Sequence, residues 1–186
     1  MSETSIIEGT PSALASAVSW PAIFAGAVVA MAVTLIFVAL GAGFSAGSFA
    51  SWPNLGRGLT TFTAMTGVWL VITQWVSSGV GGYVTGRLRT RWHGVHTHEV
   101  FFRDTANGLI SWSLATIVVA GLGVVAATMA SADPAASAQA AAAASSDAAR
   151  KAAAGFSVFT AISMLIGAFI ACVAAALGGQ QRDEHL

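Results

Sequence analysis

Charge is what this sequence has least of. Only 9% of its residues are Asp, Glu, Lys or Arg, where a soluble globular domain carries about 25%. Eight basic and eight acidic side chains among 186 residues cannot cover a water-exposed surface of that size. With 55% hydrophobic residues and a mean hydropathy of +0.74, lipid is the expected solvent for most of the chain. The formal net charge is zero, so no basic excess points to nucleic acid as a partner. Cysteine is nearly absent as well. Cys172 stands alone inside an apolar run, which excludes an internal disulfide and a cysteine zinc site and leaves a small apolar residue. Residues 1–19 contain no Lys or Arg and carry Glu3 and Glu8, unlike the positive start of a cleaved secretory signal.

What the chain does have is four long apolar runs, at about 20–44, 61–86, 105–129 and 155–179. Each has roughly 25 residues, enough to cross the hydrocarbon core with some tilt. Backbone polar groups inside a bilayer must be satisfied within the segment, and without period-two alternation that means helices. The expected fold is an all-α membrane protein, a four-transmembrane-helix bundle forming one membrane domain over 1–186. Pro21 suits the first turn of the first span. Asp104 is placed to cap the third. Trp20, Trp52 and Trp92 fall near expected membrane boundaries, and Trp69, Trp75 and Trp112 lie deeper.

The basic residues set an orientation. Arg87, Arg89, Arg91 and Arg103 lie between runs two and three, and Arg182 follows run four. Arg57, Arg150 and Lys151 lie in the other two connections. Short connections rich in Lys and Arg stay in the cytoplasm, so segment 87–104 and both termini are expected inside.

Small residues recur with helical spacing. Ser78, Gly82 and Gly86 in run two are matched by Gly167, Ala171, Ala175 and Gly179 in run four. Residues four apart share a helix face, and small ones let helices approach closely in lipid. These faces are the expected helix-packing surfaces, within the chain or against a partner. The similar ends of runs two and four, with the Ser-Trp pairs Ser19-Trp20 and Ser111-Trp112, suggest two tandem parallel helical hairpins. Chance recurrence in Ala- and Gly-rich helices is the alternative.

No Asp, Glu, Lys, Arg or His lies inside the four cores, which argues against proton coupling. Gln74 is the most polar deep residue, and Asn107, Ser111 and Thr116 line part of run three. An interhelical hydrogen bond accounts for Gln74; a pore lined by such groups in an oligomer is the sharper reading.

Three of the four histidines gather between runs two and three. His93, His96 and Glu99 would share a helical face and could ligate a metal, although Gly94 weakens a helix there and no established zinc pattern is completed. The competing expectation is an interfacial segment, with Arg87, Arg89, Arg91 and Trp92 at lipid headgroups and Glu99 pairing with Arg103 four residues on. The external connection 132–154 is alanine-rich, favouring a short helix or an extension of span four, with Asp133-Pro134 as its start; a spacer is the alternative.

The stretches GVHTHEVFFRDTANGLISW, GGYVTGRLR and SWPAIFAGAVVA are similar to a family of multi-pass membrane proteins, mainly alphaproteobacterial, sometimes labelled PhnA-like. The resemblance covers spans one to three and implies a bacterial inner-membrane location. It brings no catalytic residues, and the zinc-ribbon cysteines that the label suggests are not here.

No nucleophile–base pair is evident, so neither an enzyme nor a bound cofactor is expected. The leading expectation is a non-enzymatic accessory or structural subunit, with membrane lipids and other membrane subunits or itself as partners. A small oligomeric channel or carrier around Gln74 is the alternative. A metal- or pH-responsive sensor using His93, His96, His98 and Glu99 is the third reading.

Overall fold

The computed structural model describes residues 16–48, 59–90, 96–132 and 147–184, together with 134, 135, 137 and 138. These residues contain no strand. They form four long helices, α1 (Trp20–Ser48), α2 (Leu59–Leu88), α3 (Thr97–Ser131) and α4 (Asp147–Glu184). Three of them, α1, α3 and α4, are long and apolar enough to cross a membrane. Their surfaces are covered with large apolar side chains such as Leu35, Ile117, Leu165 and Phe169, while alanines dominate the apolar interior.

The helices alternate in direction. The start of α1, the end of α2, the start of α3 and the end of α4 meet at one end, here the Arg89 end. α2 and α3 each touch all three other helices, whereas α1 and α4 do not touch. The section is therefore a diamond, with α2 and α3 across its short diagonal. A two-fold relation between the hairpins α1–α2 and α3–α4 would mirror the α2–α3 contact in an α1–α4 contact. None exists among the described residues, so the sequence repeat is not an exact repeat of arrangement.

The helix starts follow local chemistry. Ile23 N donates to Ser19 O at 3.0 Å, and Pro21, lacking an N–H, sits where no intrahelical bond is lost. α3 begins eight residues earlier than the apolar run. His96 O accepts from Glu99 N and Val100 N at 3.0 and 3.1 Å. Asp104 is consequently two turns inside the helix and not its cap. The cause is that residues 97–104 continue the helix with their own pairing, Arg103 Nε donating to Glu99 Oε1 at 2.7 Å. At the other end of the chain, α4 starts at Asp147, so it extends well ahead of its apolar run, and Arg150 pairs with Asp147 at 2.5 Å. Asp133 and much of the alanine-rich connection lie outside the described residues.

The small-residue faces are used within the chain. A methyl added at Gly82 would meet the backbone of Ala171, and one at Gly86 would meet Ala175 O and Gly179 N. Gly108 of α3 lies against the same Ala171–Ala175 stretch. Across the diamond, Gly26 of α1 sits against Gly81 O and Thr85 of α2. Helices in lipid associate through such packing because no hydrophobic drive separates helix from acyl chain.

Candidate functional site

Two polar features stand out in this apolar bundle, one at the Arg89 end and one at mid-length. At the Arg89 end, the Arg89 side chain is fully buried and forms a two-pronged ion pair with Asp104. Asp183 of α4 approaches the same guanidinium at 3.6 Å. Arg182 pairs with Asp183 at 2.5 Å and donates through Nη1 to the carbonyls of Arg89 and Thr90. Two cations and two carboxylates thus tie the ends of α2, α3 and α4 together. Gly179 makes this possible, since a methyl there would collide with the Asp104 carboxylate. Burial, then the Arg182 charge, lowers the Arg89 guanidinium to about 10 against the raising pull of Asp183, and it stays protonated at neutral pH.

This placement corrects the expectation for Arg89. The sequence pattern places it at lipid headgroups, but it turns inward because a buried Asp104 needs a partner and a fork-shaped donor matches a carboxylate. Arg87 is half-buried. Arg91, Trp92 and His93 lie outside the described residues. Of the expected metal ligands, His96 is exposed and Glu99 is engaged by Arg103. Among the described residues no three His, Cys, Asp or Glu side chains form a metal-holding group.

From the ion pair a polar row leads up one face of α3. Asp104, Asn107 and Ser111 are 2%, 1% and 1% exposed, at the three- and four-residue spacing that aligns them. Asn107 Oδ1 accepts from Ser19 N at 3.2 Å, fastening the start of α1, while its Nδ2 has no hydrogen-bond partner. Thr85, also buried, donates back to Gly81 O at 2.9 Å.

The row ends at a cavity of about 290 Å³ between all four helices. Its wall includes Gln74 and Ser78 of α2, Ser111, Trp112 and Thr116 of α3, and Ser163 of α4. The hydroxyls of Ser78, Ser111 and Ser163 and the indole Nε1 of Trp112 are buried without a hydrogen-bond partner. By contrast, Thr73 and Ser77, on the same wall, donate to Trp69 O at 2.9 Å and Gln74 O at 3.2 Å. Each unpartnered buried group costs about 1–3 kcal/mol. Among the described residues, none that lines the cavity is charged.

No protein family, curated protein or solved structure matches this chain.

The structure brings Gln74, Ser111 and Thr116 to one cavity, and Ser78 joins them from what was expected to be a packing face. Ser163 and the Arg89–Asp104 pair were not anticipated. The pair had a faint signal, a basic and an acidic residue at facing ends of two apolar runs. Ser163 had none, because a serine in an apolar run reads as neutral until its neighbours are known.

Proposed function

We propose that the chain is a four-span, non-enzymatic protein of the bacterial inner membrane, with cytoplasmic termini, that serves as an accessory or structural subunit. The supporting observation is the outer half of α3. From Ala120 to Met129 it is exposed without a break, and Gly121 and Gly123 have nothing within 4 Å of an added methyl. α3 is also the least covered of the three strongly apolar helices. Around Gly82, Gly86 and Gly108, by contrast, the glycine faces are covered by this chain's own helices. Small residues on a lipid-facing helix are the usual meeting place for another helix.

α2 counts as the fourth span because its 30 residues, about 45 Å of helix, run alongside the other three. The orientation rests on Arg87, Arg89, Arg103 and Arg182 standing at the end that carries the start of α1 and the end of α4.

The test is crosslinking in native membranes. In a Cys172→Ala background, cysteine at Gly123 is expected to give a crosslinked species, with a copy of the chain or another membrane protein. Cysteine at Phe169, on the exposed side of α4, is expected to give none. No crosslink at either position, with a lone monomer by native mass spectrometry in mild detergent, would sink the reading.

A further inference from the structure

We propose that the mid-length cavity is a binding site for a small uncharged solute whose hydroxyl or amide groups both donate and accept hydrogen bonds. This goes beyond a packing role, and rests on different residues from the bare half of α3. The observation that carries it is convergence. Three serines from three helices, Ser78 of α2, Ser111 of α3 and Ser163 of α4, are 3%, 1% and 7% exposed, line one cavity and have hydroxyls without partners.

A serine in a helix ordinarily satisfies its hydroxyl by donating to the carbonyl one turn back. Ser77 donates this way to Gln74 O, and Thr34 and Thr73 to the carbonyls four residues back. Ser78, Ser111 and Ser163 do not, although each sits in regular helix. Ser78 Oγ stands beside Gly167 and Ser111 Oγ beside Gly26, so a bound solute would meet these hydroxyls after a rotation about χ1. Trp112 adds an indole N–H, a donor only, from the same wall.

The wall also says what is refused. Among the described residues it holds no Asp, Glu, Lys, Arg or His, so a charged solute would enter a low-dielectric space without a counter-charge and lose its hydration uncompensated. A purely apolar occupant would leave the three hydroxyls unsatisfied. The volume of about 290 Å³ is near the lower end of ligand pockets, about 300–1,000 Å³, which sets the size class. A hydroxyl both donates and accepts, so a polyol or a simple amide complements three serines and an indole.

The experiment uses the full-length protein in nanodiscs and equilibrium dialysis with radiolabelled glycerol, urea and acetate. The expected result is saturable binding of glycerol or urea and none of acetate. A triple variant, S78A/S111A/S163A, is expected to bind at least tenfold more weakly, as loss of about 1 kcal/mol per hydrogen bond predicts at roughly fivefold each. Its thermal midpoint should be equal to or above that of the parent, since methyls replace unpartnered hydroxyls. If the triple variant fails to fold, S163A alone is expected to weaken binding about fivefold. No saturable binding of either neutral probe, equal binding by the serine variants, or preference for acetate would overturn the proposal. A cavity that holds water only would show as the first of these. Because the dialysis needs no partner protein, its outcome is independent of the crosslinking at Gly123.

Discussion

At the Arg89 end, α2 and α4 approach until Gly86 backs onto Ala175, and a buried arginine is held between three helix ends. At the opposite end, α3 continues past Val119 with large and small side chains alike exposed, among them Leu122, Val124 and Met129. Both halves are built from apolar helices of similar composition. The difference lies in where backbone can touch backbone. Glycine placed opposite alanine converts a pair of helices into a close seam, and that seam excludes solvent well enough to make a charge pair persist inside it. The outer half of α3 has no such match: nothing lies within 4 Å of a methyl added at Gly121 or Gly123.

The largest expected effect falls on the ion pair. Arg89→Ala leaves Asp104 buried without its two-pronged partner, and removing one member of such a pair costs about 3–5 kcal/mol. Thermal or denaturant unfolding in mild detergent reads this directly. The double variant Arg89→Met with Asp104→Leu should recover most of the loss, because an apolar pair of similar volume replaces the ions at little net cost. Equal stability of Arg89→Ala and the parent would erase the contrast between the ends.

Next is the seam. Gly86→Val pushes a branched side chain into Ala175 O and Gly179 N, with an overpacking cost of about 1–3 kcal/mol. The matching change in the bare half, Gly123→Val, should move the melting midpoint little, within about 0.5 kcal/mol, because nothing lies within 4 Å. A similar loss at both positions in the isolated monomer would mean that the outer half is as closely covered as the inner one.

The smallest effect belongs at the boundary between the halves. Ser111→Ala removes an unpartnered hydroxyl and should leave stability unchanged or slightly raised, by less than about 1 kcal/mol. A clear loss would show that the hydroxyl serves the fold and not an occupant.

Much of the fold was legible beforehand, for physical reasons that also mark where legibility ends. Four apolar runs announced four helices because length and apolarity are local properties. The spacing of Ser78, Gly82 and Gly86, and of Gly167, Ala171, Ala175 and Gly179, marks two helix-packing faces, but that they meet each other is visible only in the folded chain. The helix starts were harder. Asp104 looked like a cap because apolarity begins after it, yet Glu99 and Arg103 carry the helix a further two turns on polar residues. Pairing was harder still. Arg89 and Asp104 are separated by a polar segment, and only the folded chain shows that Gly179 leaves room for the carboxylate. The cavity was half visible. Gln74, Ser111 and Thr116 stood out as polar among apolar neighbours, but their meeting with Ser163 depends on how α4 crosses α2 and α3.

The position of α2 at the short diagonal of the diamond bears on how the molecule comes to exist. α2 carries Thr73, Gln74, Ser77, Ser78 and Thr85 along its length and is not among the three helices apolar enough to cross a membrane on composition. For a four-span chain, it therefore enters lipid on the strength of its neighbours, first α1, which is synthesised before it, and later α4, whose alanine face covers Gly82 and Gly86. Synthesis order then becomes part of the design. For such a chain, truncation before α4 is expected to leave α2 poorly held in lipid, read as loss of the truncated protein from washed membranes.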